Sequence, residues 1–483
     1  MSDLAGAERF AIAVSTPGSP LFHHYLSPDA YTARFGQPAS LGEFGVTARA
    51  SVAQTARSVQ TCSRYWAEHV RSFSPSYRGL TKGSLPICGY SATQLRAAYG
   101  ASWAATGHGQ TIALTESEAP TAMLQTLREY AKRNHLPAPK ASQYKEIHVG
   151  SSGQCSKGSR DAAQYNDEAE MDSEAVYAMA PSANQLMVVG NGCDEDHALL
   201  NAILAVLIGD GHRPLASIVS NSWQIPIGDL PPQTVHAIAV RAAAEGVGLY
   251  FSSGDTPGLT TTASDPYVVA VGGTTLGLGR WNNRVFETGW SNDTAVLDEG
   301  KWSDIGISGA GGGTSLDYAQ PAYQKGVVPP SMSHVRIGNR TVVNRTVPDI
   351  AAVADLDTGM LTGYTSSDDG QYKTQVNAGT SLAAPLIAGL IADAQQGQRT
   401  SFGFTNPLFY RLYGTRAFHD VLPLQNLAAY TPANSTDSAS VDVFDSQNSS
   451  DTDQVTAKGY DTVTGVGTPN GLAFILGLRR TAR

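Results

Sequence analysis

From about residue 88 onward the chain alternates short, unbroken apolar runs with longer stretches of helical spacing. TIALTE (111–116) reads as a buried strand, and PTAMLQTLREYAKRNHL after it opens on a proline and places its apolar residues at helical intervals. The rhythm continues with a helix over 161–180, strand QLMVVG (185–190), helix HALLNAILAVLIG, strand ASIVS (216–220), helix PPQTVHAIAVRAAAEG, strand GLYFSS (248–253) and strand YVVAVGG (267–273). Apolar strands separated by helices predict βαβ units, and therefore an α/β fold with a parallel sheet. Such sheets bind ligands at the carboxyl ends of their strands, so the residues just after each strand are where chemistry is expected. Residues 1–85 lack this rhythm. Residues 431–456, rich in Ser and Asp, predict a polar surface loop or insertion.

Composition narrows the classes. A length of 483 residues allows two to four domains at about 150 residues each. Hydrophobic residues at 41% and charged residues at 16% can fill a large core, which excludes wholesale disorder. A net charge of −9 argues against nucleic-acid binding through a basic surface, and suits work in acid. No apolar run is long enough to span a membrane. The opening MSDLAGAERFAIAVS has no long apolar segment of the secretory kind, and alone would point to the cytoplasm. The cysteines point elsewhere. Cys62, Cys88, Cys155 and Cys193 form no CxxC pair, so two disulfides suit them better than a metal site, with four separate thiols as the alternative. By position, Cys155 with Cys193 is the expected pairing. Nucleotide motifs are missing: there is no GxxxxGK[ST], and no GxGxxG follows a predicted strand.

Three segments could carry chemistry. In NDEAEMDSEAVYAMAP, Glu168 and Asp172 fall four residues apart within the apolar stripe of Met171, Ala175, Val176 and Met179. Asp167, Glu170 and Glu174 are expected on the opposite, solvated face. Two carboxylates on the buried side are costly unless paired or functional, and such a pair shares protons, as general acid–base catalysis requires. In NAGTSLAAPLIAGLIADA, Ser381 stands at the start of an apolar helix, where backbone N–H groups favour developing negative charge. A helix N-cap is the plainer reading of that serine. In SSGDTPG, Asp255 follows the strand GLYFSS, although Asp is also an ordinary turn residue.

Together these segments resemble the sedolisin family, the serine-carboxyl peptidases, relatives of subtilisin that act in acid. The resemblance rests on Glu168-Ala-Glu-Met-Asp172, on Ser253-Gly254-Asp255 with Gly258, and on Gly379-Thr380-Ser381. YSATQLRAAYG, GHGQTIALTE, VSNSW, YVVAVGGTTL, SGAGGGTS, VPDIAAVADLDTG and the closing HDV and KGYDTVTGVGTPNG fill the intervals in order from 88 to 483. Pro257 is an extra residue in the Asp255 loop. The implied fold is subtilisin-like, a parallel sheet with helices on both faces.

The resemblance also implies roles. Ser381 is the expected nucleophile, Glu168 its general base, Asp172 the support of Glu168, and Asp255 an oxyanion-hole residue alongside the Ser381 N–H. One Ca2+ ion is implied, held by the Asp420 and Asp461 side chains and the carbonyls of Val421, Ala457 and Gly459, in a segment at about 418–470. Oxygen-only ligands suit calcium, although the family has glycine where Ala457 stands. Residues 86–483 would be the peptidase domain, and residues 1–85 a truncated or degenerate α+β prodomain. That remnant matches the family around FAIAVSTPGSPLFHHYLSPDAYTARFG (10–36), with cleavage expected near Ser84–Cys88. A Cys62–Cys88 disulfide would tether the two parts and is not expected. The implied protein is a secreted, monomeric zymogen despite its opening. Its partners would be protein or peptide substrates and its own prodomain, with no nucleic acid and no membrane. The resemblance leaves endopeptidase and tripeptidyl-peptidase activity both open. The alternative is a family member impaired in catalysis or folding by its shortened prodomain. A Ser-His-Asp protease is disfavoured, since the only His-Gly pair, His108-Gly109, precedes the first strand, and that strand ends in Glu116 rather than Asp. A non-catalytic binding protein on the same fold is disfavoured by the intact serine and acids.

Overall fold

The computed structural model describes residues 2–36, 62–118, 120, 122–150, 166–424, 427–435, 438–445 and 454–483. The chain opens with helices α1 (Leu4–Ser15) and α2 (Pro28–Phe35), then strands β1 (Val70–Tyr77) and β2 (Leu80–Ser84) and helix α3 (Ala92–Tyr99). The predicted alternation follows as β3 (Thr111–Glu116), α4 (Met123–Arg133), β4 (Tyr144–Val149), α5 (Asn166–Met179), β5 (Asn184–Gly190), α6 (Glu195–Ile208), β6 (Ile218–Asn221), α7 (Pro232–Ala244), β7 (Gly248–Ser252) and β8 (Val269–Leu278). Antiparallel strands come next: β9 (Arg284–Gly289), β10 (Ser291–Asp298), β11 (Lys301–Gly309), β12 (Gly313–Ala319), then short helix α8 (Pro330–Ser333), β13 (His334–Ile337) and β14 (Arg340–Val347). The chain then runs through β15 (Ile350–Val353), hairpin β16 (Met360–Thr365) and β17 (Tyr372–Asn377), helices α9 (Thr380–Gln395) and α10 (Asn406–Leu412), β18 (Phe418–His419), β19 (Ala428–Ser435), β20 (Ser438–Val443), β21 (Thr468–Pro469) and α11 (Gly471–Thr481).

The central sheet has the order β15-β8-β7-β6-β3-β5-β4, all parallel, with β9 antiparallel beside β8. Its two faces serve separate cores, as the two-residue strand period dictates. Ile112 and Leu114 of β3 join the cluster that contains α5 and α9, while Ala113 between them joins the cluster of α6 and α7. Helix α9 is buried at every position, as expected of a helix apolar on all sides. Gly389 lets α5 approach it closely: a Cβ there would stand 2.7 Å from Cβ of Met179.

Three expectations change. Residues 62–84, assigned to the pro-segment, are woven into the body of the molecule. The strands β1 and β2 extend an antiparallel sheet of order β1-β2-β19-β20-β10-β11, and Cys62–Cys88 is a disulfide. The boundary at 85 therefore does not separate two structural units. Cys193 is also disulfide-bonded, and Cys155 lies outside the described residues.

Within the predicted loop over 431–456, residues 431–435 and 438–443 are instead strand, paired as β19 and β20. Their polar composition hid a period-2 pattern in which Val441 and Val443 pack against Phe73, Tyr77, Ala295 and Ala428, and Ala439 is also buried. Third, the acids on α5 do not divide into a buried and a solvated face. Glu170 is 5% exposed and Glu174 is fully buried, because α3, α4, α9 and β16 surround the helix.

The N-terminal segment 2–36 packs onto α7. Ala7, Phe10, Ala11, Val14, Tyr31 and Phe35 form one cluster with Val240, Ala243, Ala244 and Phe404. His236 of α7 bridges across this contact, 2.8 Å from Glu8 of α1 and 2.7 Å from Asp265.

Candidate active site

Three adjacent strands of the parallel sheet end at the same place. Glu116 is the last residue of β3, Ser222 follows β6, and Asp255 follows β7 by three residues. The start of α9 meets them from the other side. This is the carboxyl edge where an α/β sheet gathers its ligands.

Helix α9 begins at Thr380, so the N–H groups of its first turn have no partner within the helix. Asp255 takes one of them: its Oδ1 accepts from Thr380 N–H at 2.7 Å and from Thr380 Oγ1 at 2.8 Å. Thr380 Oγ1 also lies 3.0 Å from the Gly254 amide, from which it accepts. Gly379 makes this approach possible. Its φ is +93°, and a Cβ there would stand 2.6 Å from Asp255 Oδ2. Burial raises the Asp255 pKa, and the two bonds from Thr380 offset part of that rise.

Ser381 is 9% exposed, and its Oγ donates to the Ser222 carbonyl at 3.0 Å. Ser222 Oγ in turn lies 3.0 Å from the Ser381 carbonyl and 2.8 and 2.7 Å from the two oxygens of Asp172. Ser222 thus joins the predicted nucleophile to the predicted acid. Asp172 is fully buried, and burial pushes its pKa up to about 7 against the opposing hydrogen bonds from Ser222 and Glu116.

Glu116 is the residue that sequence reasoning passed over. It hydrogen-bonds Asp172, and its own pKa stands well above the usual carboxylate range, through burial first and then the charges of Asp172 and Glu168. The bond raises Glu116 and lowers Asp172, so Glu116 keeps the proton and donates it. Glu168, partly buried on α5, completes a group of three carboxyls. The missed signal was an acid at the carboxyl end of a buried strand, noted only as a departure from Ser-His-Asp proteases. Ser222 lay within VSNSW with no role attached. Trp223 of the same motif donates from Nε1 to Thr115 Oγ1 at 2.9 Å and so fastens this loop to β3.

The structure therefore brings Glu168, Asp172, Asp255 and Ser381 to one edge of the sheet. It does not place Ser381 Oγ on a carboxylate: that hydroxyl rests on a backbone carbonyl.

The expected calcium residues make two contacts in the closing segment. Asp420 Oδ1 accepts from the Gly459 amide at 2.9 Å, which holds the two segments together, with Val421 next to the first. Asp461 Oδ2 accepts from Ala457 N–H at 3.0 Å, and its Oδ1 from Val463 N–H, Thr464 N–H and Thr464 Oγ1. Two carboxylates and nearby carbonyls make a hard, all-oxygen donor set that fits calcium. Among the described residues no cluster of three or more Asp, Glu, His or Cys forms a metal site, so carbonyls would have to supply the remaining ligands.

A serine at the head of a buried helix, facing the carboxyl edge of a parallel sheet, is the subtilase arrangement, and the sequence model of the Subtilase family matches residues 155–411. Kumamolisin of Bacillus sp. (strain MN-32) is 29% identical over 390 residues, 78% of this chain and 61% of its own length. Sedolisin of Pseudomonas sp. (strain 101) is 28% identical over 342 residues, 67% of this chain and 53% of its own. Mouse tripeptidyl-peptidase 1 is 26% identical over 261 residues, 50% of this chain and 39% of its own. The solved structure of Pseudomonas sedolisin, a serine-carboxyl proteinase complexed with two molecules of pseudo-iodotyrostatin, superposes with a TM-score of 0.62 at 25% identity. That match covers 82% of this chain and 99% of the solved one. The chain belongs to the subtilase family, in its sedolisin branch. It spans 61% and 53% of the length of the first two curated relatives.

Proposed function

We propose that the protein is an acid-acting serine-carboxyl peptidase that cleaves peptide bonds through Ser381, Glu168 and Asp172. The observation that carries this reading is the Ser222 bridge, which links the Ser381 carbonyl to a buried carboxyl pair at the head of α9. The hydroxyl of Ser381 leaves the Ser222 carbonyl, gives its proton to the Glu168 carboxylate, and attacks the scissile carbonyl carbon. The oxyanion that forms takes hydrogen bonds from the Ser381 N–H and from protonated Asp255. The C–N bond breaks as Glu168 returns the proton to the leaving amine. Water then opens the acyl-enzyme ester with the same base. Asp172 supports Glu168, and Glu116 holds a proton next to it.

This chemistry needs acid. Asp255 donates only while protonated, and acidification keeps it so. Both endopeptidase and tripeptidyl-peptidase activity are compatible with this machinery. Calcium would be held by Asp420, Asp461 and the carbonyls of Val421, Ala457 and Gly459, where it would supply a closing charge between two loops. The Cys62–Cys88 disulfide supports an oxidising, extracellular setting. Residues 2–36, docked on α7, would serve as pro-segment, with the chain acting as a monomer on protein or peptide substrates. The test is casein or haemoglobin hydrolysis at about pH 3–5, wild type against Ser381→Ala. Equal activity in the two refutes the assignment.

A further inference from the structure

We propose that Glu174 is a positioning residue that locks the β16–β17 hairpin, and through it the Ser381 loop, to the helix carrying Glu168 and Asp172. The proposal deepens the peptidase reading and rests on it.

Glu174 stands two residues beyond Asp172 on α5 and is fully buried. Its two oxygens reach both strands of the hairpin. Oε2 accepts from the Gly363 amide of β16 at 2.8 Å, and Oε1 from the Tyr372 hydroxyl of β17 at 3.0 Å. Gly363 lets the tyrosine cross: a Cβ at 363 would stand 2.3 Å from Tyr372 Cζ. The strand β17 then ends at Asn377, and two residues later the Gly379 amide donates to the Ala354 carbonyl at 2.6 Å, just before Ser381. One helix therefore carries the acid pair and also grips the hairpin that delivers the serine.

The surroundings favour a neutral carboxyl. Glu170 faces it from α5 itself, Tyr372 from β17, and Tyr130 from α4. Arg133 of α4 lies over the Tyr372 ring at 4.8 Å, and Glu129 of the same helix acts on that tyrosine. Among the described residues no Lys, Arg or His makes an ion pair with Glu174. An ionised carboxylate would be buried with only two hydrogen bonds and another acid beside it. Burial lifts the Glu174 pKa well above the usual range, Glu170 adds to the rise, and the bonds from Gly363 and Tyr372 oppose it. Two hydrogen bonds without a cation do not compensate a buried charge.

The test compares wild type, Glu174→Gln and Glu174→Ala by hydrogen exchange over residues 360–377 and by peptide hydrolysis, both at about pH 4. Glutamine keeps an oxygen for the Gly363 amide and a polar group opposite the Tyr372 hydroxyl, so Glu174→Gln should keep protection and kcat near wild type. Glu174→Ala should lose protection and lower kcat by about ten- to a hundredfold with little change in KM, the signature of a misplaced nucleophile. Wild-type protection and kcat in Glu174→Ala would overturn the proposal, as would a Glu174→Gln variant as impaired as Glu174→Ala. If none of the three proteins cleaves peptides while exchange follows the expected pattern, the lock stands and the peptidase reading falls.

Discussion

Pro385 lies four residues after Ser381 in α9, and having no N–H it leaves the Ser381 carbonyl to accept from the Ser222 hydroxyl at 3.0 Å. An ordinary residue at 385 would claim that carbonyl for the helix. The proline therefore opens the one backbone position through which Ser222 can reach both the serine and Asp172. A hydroxyl has a single proton. With Asp172 protonated, Ser222 accepts from it and donates to the Ser381 carbonyl. With Asp172 ionised, Ser222 turns its proton to the carboxylate. Asp172, pushed up to about 7, changes between these states near neutrality.

Ser222→Ala removes that exchange. It leaves the Ser381 carbonyl unpartnered and takes away the hydrogen bond that holds the Asp172 pKa down. Melting should show a loss of about 1–3 kcal/mol for the orphaned buried groups. The carboxyl titration of Asp172, followed by infrared absorption, should move to higher pH, because its pKa rises further. An unchanged Asp172 titration would contradict the bridge.

Gly379→Ala should damage the site by two routes. The φ of +93° is unfavourable for alanine, and the new methyl meets Asp255 Oδ2. The backbone term alone is about 1–2 kcal/mol, and the displaced Asp255 should lower kcat by about 10²–10³, the effect of losing one oxyanion donor. Near-wild-type kcat in this variant would remove Asp255 from the oxyanion role.

Stability should fall as pH rises. Asp172 and Glu116 have pKa values raised by burial, so the folded state binds more protons than the unfolded chain, whose carboxyls titrate at about 4. Their contribution is complete below that ordinary range and is lost as pH climbs through about 7 for Asp172. His236 acts in the same direction: its pKa is raised to about 9 by Asp265 and Glu8 against its desolvation, so its contribution fades between the ordinary histidine range and that value. Melting temperatures at pH 4, 6 and 8 should decrease in that order. A maximum at pH 8 would contradict this account.

Calcium should stabilise the closing segment. Chelation should lower the melting temperature, added calcium should restore it in proportion to the logarithm of its concentration, and Asp420→Ala should abolish that response. A melting temperature indifferent to calcium would remove the ion from the account.

Periodicity made the central architecture legible, because strands such as TIALTE and GLYFSS are buried on both faces and have unbroken apolar centres. The antiparallel sheet was not legible. Hairpin β19–β20 is written in Ser, Thr, Asp and Ala, with inward Val441 and Val443 too few to stand out in the sequence. The site was legible where a short motif held it, at Ser381, Asp255 and the pair on α5. It was not legible where partners meet only in space. Glu116 and Asp172 are 56 residues apart and join because β3 ends beside α5. The burial of Glu174 depends on α4 and β16, which no pattern within α5 reveals.

The central claim is that Ser381, served by buried carboxyls, cleaves peptide bonds in acid. The direct measurement is the pH–rate profile of purified protein on a denatured protein substrate from about pH 2 to 9, with Ser381→Ala in parallel. The account predicts a maximum on the acid side, a decline as Asp255 ionises, and a loss of about 10⁴ or more in the variant. A maximum at neutral or alkaline pH, or equal rates from the two proteins, would contradict it.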